Sequence, residues 1–159
     1  MRPLLLTHSS CEKPPGAISI DTRDAAKPDS SSRHGVVAVA SQNGLFLAIR
    51  RSLFVRAPGA ICFPGGHVEP GETEPEAVVR ECMEELSLEV KPLECLWRSQ
   101  TRWGVLLGWW SVELGDVNLI SPHPAEVAEV LWLSAHDLTH HPDLLVGNQE
   151  FLEMLSSST

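Results

Sequence analysis

From Gly65 to Leu88 the chain reads GGHVEPGETEPEAVVRECMEELSL, and no other stretch restricts the fold as strongly. Two adjacent glycines mark a turn, where the missing Cβ lets backbone or ligand approach closely. Thr73-Glu74-Pro75-Glu76 then fits a capping box, with Thr73 as N-cap and Glu76 at the third helical position. Pro75 falls in the first turn, where its missing N–H costs nothing. The sequence therefore predicts a helix after Thr73. Within it Val79, Cys82, Met83 and Leu86 fall at i, i+3, i+4, i+7 and are expected to form the core stripe. Glu81, Glu84 and Glu85 fall at i, i+3, i+4 and are expected on the opposite face.

The flanks predict strands on both sides of this helix. HGVVAVASQNGLFLAIRR places two apolar runs around Asn43-Gly44, a strong hairpin signal. Pro58-Gly59 and Pro64-Gly65-Gly66 frame a short buried strand over residues 60–63. After the helix, LEVKPLECLWRSQ and GVLLGWWSVEL read as two strands with residues 101–103 between them, and EVAEVLWLS as another. Ser134 can cap AHDLTHH, and NQEFLEMLSS reads as a closing helix. Interleaved strands and helices in residues 34–159 make a single α/β (α+β) domain. Residues 1–33, rich in Ser, Pro, Asp and Lys, are expected to be a flexible N-terminal segment, with ISI at 18–20 as a short strand. The opening apolar run, Leu4 to Leu6, is shorter than the ~7–15 residues of a signal sequence. No run approaches the ~20 residues that cross a bilayer. A cytoplasmic protein without membrane contact is expected.

Composition narrows the partners. Against 12 Lys and Arg stand 21 Asp and Glu, a formal net charge of −9. That argues against nucleic-acid binding, which rests on cations meeting phosphates. No two of Cys11, Cys62, Cys82 and Cys95 have C-x-x-C spacing, so a zinc site is not expected and the thiols read as free. An acidic chain can still take nucleotides if a bound cation inverts the local field. Three glutamates on one helix face suggest such a cation. An ordinary solvated face mixes charge signs, whereas Glu–Glu pairs at i, i+4 each cost a few tenths of a kcal/mol. Mg²⁺ takes carboxylate oxygens together with phosphates and water. A Gly-rich turn beside a carboxylate helix thus points to a metal and diphosphate site.

Gly66, five residues, Glu72, seven residues, and then Arg80-Glu81-Cys82-Met83-Glu84-Glu85-Leu86-Ser87-Leu88 resembles the signature of the Nudix hydrolases, Gly-x5-Glu-x7-Arg-Glu-U-x-Glu-Glu-x-Gly-U, with U bulky and apolar. Cys82 stands where a larger aliphatic residue is usual, and Ser87 where Gly is usual. The resemblance covers roughly residues 34–155 and implies an α/β/α sandwich with a mixed β-sheet. It also implies hydrolysis of a phosphoanhydride bond in a nucleoside diphosphate linked to another group. The cofactor it implies is Mg²⁺, with Mn²⁺ as the alternative, and it is compatible with a homodimer.

Carried over by residue, the resemblance makes Glu84 and Glu85 the main metal ligands, completed by Glu81 and the Gly65 carbonyl. Arg80 would orient a glutamate, and Glu72 would be an auxiliary carboxylate. The general base is left between Glu81 and Glu126, the latter six residues before Trp132. Arg50, Arg51 and Arg56 are candidates to hold phosphates, with Gly66 approaching the substrate. Trp97, Trp103, Trp109 and Trp110 stand out in a chain without Tyr. One could stack on a base, the rest serving the core. A non-catalytic nucleotide-binding or regulatory module is the alternative reading. The intact Arg80, Glu81, Glu84, Glu85 set favours the enzyme.

Overall fold

The computed structural model describes residues 33–158. Its strands are β1 (His34–Val39), β2 (Ser41–Gln42), β3 (Leu45–Arg51), β4 (Ile61–Cys62), β5 (Gly65–His67), β6 (Val90–Gln100), β7 (Leu106–Leu114) and β8 (Val127–Leu133). Its α-helices are α1 (Glu74–Leu86), α2 (Ala135–Thr139) and α3 (Val146–Ser157). One sheet is mixed and runs β5-β1-β7-β6, with β1 and β7 parallel and the outer pairs antiparallel. The other is antiparallel. In it β3 pairs with β2 at its start, β4 at its end and β8 along its length. The Asn43-Gly44 turn does form, with both residues at positive φ, but only β2 and β3 pair across it. β1 stays in the mixed sheet, and the chain crosses to the other sheet at Ala40, whose carbonyl accepts the Leu47 N–H. The strand at residues 18–20 lies outside the described residues.

β1 shows how the layers form. Val36, Ala38 and Ala40 pack in one core cluster with Ala77, Val78, Cys82 and Leu86 of α1. Val37 and Val39 pack in the other with Trp109, Phe151 and Leu152. Alternate side chains of a strand point to opposite faces, so an apolar run buried on both sides needs a helix on each. That is the expected α/β/α arrangement. The second cluster is aromatic: Trp109 stacks on Phe151 at 4.7 Å between centroids, and Phe63 meets both edge-on. Among the described residues, no helix is long and apolar enough to cross a membrane.

α1 begins as its capping box predicts. The Thr73 hydroxyl accepts the Glu76 N–H, and Glu76 accepts the Thr73 N–H at 2.8 Å. Its buried face differs from the predicted stripe. Cys82 and Leu86 are buried, but Val79 and Met83 are 39% and 42% exposed. Ala77 and Val78 are buried instead, and so are Glu81 and Glu85. The stripe is Val78, Cys82, Leu86 at i, i+4, i+8, flanked by Ala77, Glu81, Glu85 at the same spacing. The glutamates therefore do not lie opposite the core. Two of them edge it.

A polar knot fixes this rotation at the helix start. Glu74 accepts from Trp110 Nε1 at 2.7 Å and from both Arg98 terminal nitrogens, at 2.6 and 3.1 Å, and pairs with His34. A Cβ at Gly108 would collide with its carboxylate. Burial alone would raise the Glu74 pKa, but the Arg98 and Trp110 bonds prevail and hold it below the ordinary value.

Ser87 closes α1 in the left-handed conformation, φ 52° and ψ 31°, its N–H bonded to the Met83 carbonyl at 2.9 Å. This position favours glycine because Cβ is strained there. Ser87→Gly should therefore stabilise the protein by up to about 1 kcal/mol. Urea unfolding checks this, and a loss of stability would contradict it.

Candidate functional site

α1 and β5 face each other across a close backbone approach. The Gly65 N–H donates to Glu85 Oε2 at 3.1 Å. Neither glycine has room for a side chain: a Cβ on Gly66 would strike the Glu81 carboxylate, and one on Gly65 the Val36 carbonyl. Gly65-Gly66 is thus required less for turning than for close approach: Gly65 lets the β1 backbone lie against β5, and Gly66 makes room for the Glu81 carboxylate.

Arg80 binds this arrangement together. Its guanidinium donates to both Glu72 oxygens at 2.8 and 3.0 Å, to Glu81 Oε1 at 2.9 Å, to Glu84 Oε2 at 3.2 Å and to the His67 carbonyl at 2.7 Å. The Glu72 bonds in turn hold that carboxyl below the usual range. Among the described residues, no three His, Cys, Asp or Glu side chains converge as a ready-made metal cage. Arg80 stands between Glu81 and Glu84.

Glu126 reaches the same place by a different route. The last carbonyls of a helix lack intrahelical partners. Here Leu86 and Glu85 carbonyls accept the Ser121 and His123 N–H groups, each at 2.8 Å. The loop so tethered leads through Glu126 into β8, and Ser52 secures it from the other side by bonding the Glu126 and Ala125 carbonyls at 2.9 and 2.6 Å.

These elements enclose a cavity of about 1020 Å³, lined in part by Arg51, Gly65, Gly66, Glu81, Glu84, Glu85 and Glu126. Burial pushes the Glu85 carboxyl up to about 8, reinforced by the charges of Glu81 and Glu126 and opposed by the Gly65 bond and Arg51. Burial likewise raises Glu81 despite its bond to Arg80. Two buried carboxylates whose anions are disfavoured, beside Glu84 and Glu126 on one cavity, offer hard oxygen donors only. That set suits Mg²⁺ or Mn²⁺. Burial lifts the Cys62 and Cys82 thiols to about 11 and about 12, so both act as small core hydrophobes.

The remaining candidates separate. Of the three arginines, Arg51 lines the cavity. Arg50 instead bonds Glu129, Asp143 and the Gly59 carbonyl. Arg56 offers its own carbonyl to Arg51 and is not part of the lining. Glu72 belongs to Arg80 and lies off the cavity wall. Sequence reasoning missed Asn148, a buried side chain on the cavity wall whose Oδ1 accepts the Phe63 N–H at 2.8 Å. It sits alone on a helix start, where no spacing pattern marks it.

The NUDIX domain family model matches residues 32–155. Nudix hydrolase 3 of Caenorhabditis elegans is 41% identical over 49 residues, 30% of this chain; the likeness spans 20% of that relative's length. Among solved structures, the E. coli ORF135 protein superimposes with TM-score 0.68 at 26% identity, over 79% of this chain and 89% of that one. The MutT protein from Methanosarcina mazei Go1 superimposes with TM-score 0.71 at 24% identity, over 79% and 94%, a likeness of fold.

The burial of Glu85 has a measurable consequence. Its native pKa, about 8, lies above the ordinary 4.5, so the native state holds this proton more tightly than the unfolded state does. Its favourable contribution is complete below about pH 4.5 and is lost as pH rises through about 8. Glutamine cannot ionise. In EDTA, Glu85→Gln should therefore become more stable relative to wild type between pH 5 and 9, by on the order of 1–4 kcal/mol. Urea unfolding across that range checks it; a pH-independent difference would show that Glu85 is not desolvated.

Proposed function

The chain belongs to the Nudix family, and we propose that it is a Mg²⁺-dependent hydrolase cleaving a phosphoanhydride bond of a nucleoside diphosphate linked to a second group. The observation that carries this reading is the buried Glu81–Glu85 edge of α1, set against Gly65-Gly66 with Arg51 on the same cavity. Buried like charges are maintained at a cost. Glu84, Glu85, Glu81 and the Gly65 carbonyl would hold a divalent cation, which would account for that cost and supply positive charge against the phosphate oxygens.

The remaining steps fall to the chain's own groups. Arg51 would meet phosphate oxygens from the β3 side. Arg80 holds Glu81 and Glu84 in place and keeps them from rotating out of the cavity. Water attacks phosphorus, the bond to the bridging oxygen breaks, and the leaving phosphate keeps the bonding electrons. Glu126 would take the water's proton. It is favoured over Glu81 because an oxygen of Glu81 is already committed to Arg80.

A screen of nucleoside triphosphates, ADP-ribose, NADH, dinucleoside polyphosphates and coenzyme A, read by phosphate or nucleotide release, tests the proposal. Hydrolysis of at least one, abolished by EDTA, is expected. Binding without turnover would favour the non-catalytic module. With the best substrate, Glu84→Gln and Glu85→Gln should lower the rate by several orders of magnitude and weaken Mg²⁺-induced thermal stabilisation. Glu126→Gln should lower the rate at least tenfold, general bases contributing ~10²–10⁴-fold, with little change in metal affinity. A wild-type rate for Glu126→Gln would return the base role to Glu81.

A further inference from the structure

The carboxylates account for only part of the cavity. Another part is lined by the tip of the β6–β7 hairpin, including Gln100, Arg102 and Trp103, and by the start of α3, including Glu150. The hairpin tip is a fixed turn. The Thr101 N–H bonds the Val105 carbonyl at 2.9 Å, the Gly104 N–H bonds the Thr101 carbonyl at 2.9 Å, and the Val105 N–H bonds Thr101 Oγ1 at 3.1 Å. Gly104 supplies the left-handed residue, φ 79°, that closes it.

On this turn Trp103 is 67% exposed. The other tryptophans are used differently: Trp109 is wholly buried, and Trp97, Trp110 and Trp132 pack partly into the core. A large indole held in water contributes little to folding. The Arg102 guanidinium lies 4.1 Å from the Trp103 ring centroid, a cation–π contact that orients the ring and brings positive charge to the cavity wall. A flat apolar surface and a cation suit a ligand that is both aromatic and anionic. The cavity volume of about 1020 Å³ lies just above the ~300–1,000 Å³ common for small-molecule sites, leaving room beyond a diphosphate.

We propose that Trp103, oriented by Arg102, is the platform on which the base of the nucleotide substrate stacks. The inference rests on the nucleotide reading of the site above. The carboxylate face then handles the phosphates, and the hairpin tip sets affinity for the nucleoside half. Gln100 and Glu150 border the same region and can meet the edge of a base. Stacking uses the π-face that every base has, so discrimination among bases by Trp103 itself is weak.

Calorimetric titration of wild type, Trp103→Ala and Trp103→Phe with AMP, UMP and base-free ribose 5-phosphate tests this. None of the three contains a phosphoanhydride bond, so binding is read independently of hydrolysis. Trp103→Ala should weaken AMP and UMP by about tenfold, within the range of measured base–aromatic stacking. Trp103→Phe should restore most of that loss, and ribose 5-phosphate should bind all three proteins alike. Unchanged AMP affinity in Trp103→Ala would overturn the proposal. So would a parallel loss for ribose 5-phosphate, or a wild type that binds AMP no better than ribose 5-phosphate. The expected binding pattern in a protein that hydrolyses nothing would sink the hydrolase reading alone. Because the ring is exposed, the variants should unfold at the wild-type temperature, which a thermal melt verifies.

Discussion

The Arg80 guanidinium joins loop, strand and helix at a single point. It donates to Glu72 in the loop before α1, to Glu81 and Glu84 on α1 and to the His67 carbonyl on β5. Each charge-assisted bond contributes ~1.5–3 kcal/mol before solvent screening, and the guanidinium's flat fork allows several at once. A lysine has no such fork and could not serve four partners in these directions. Without this cation, glutamates at positions 72, 81 and 84 would repel one another, and β5 would keep the Gly65–Glu85 bond but lose its tie to Arg80.

Arg80 leaves Glu85 to a different balance. Glu85 rests on one backbone N–H and the more distant Arg51 charge, and burial wins. A chain selected only for stability would place an apolar or amide side chain there. The local conflict lies where α1, β5 and the Glu126 loop meet on one cavity, and functional sites are where such conflicts are tolerated. The cost is met by the two core clusters on either side of β1, which hold the helix against the sheet whatever the charge state of its edge.

Distant contacts shape the site as much as adjacent ones. The knot of Glu74, Arg98, Trp110 and His34 lies at the opposite end of α1 from Glu85, yet it sets the helix rotation that turns Glu81 and Glu85 inward. The cap at Ser87 and the loop bonds to the Glu85 and Leu86 carbonyls fix the other end and deliver Glu126. The carboxylate face is held at both ends by polar bonds and along its length by Val78, Cys82 and Leu86.

Local signals were enough for most elements, though not for β5, which forms by pairing with β1 where the sequence reads as a turn. The capping box at Thr73, the turn at Asn43-Gly44 and the strand runs depend on neighbours within a few residues, and the chain alone determined them. So did the glutamate, arginine and glycine spacing, because the motif is contiguous. Tertiary structure decided the rest. The helix period could not choose between Val79/Met83 and Ala77/Val78 as the buried pair, since both keep helical spacing. The choice depended on Glu74 finding Arg98 and Trp110, and on Gly66 admitting Glu81. Spacing could not show which of Arg50, Arg51 and Arg56 faces the cavity either, because Arg50 is drawn to Glu129 and Asp143, residues far along the chain. Nor could it show that Trp109 would stack on Phe151 while Trp103, six residues earlier, would stand exposed at a fixed turn on the cavity wall. Burial and partnership between residues distant in sequence are properties of the packed chain, and no local pattern encodes them.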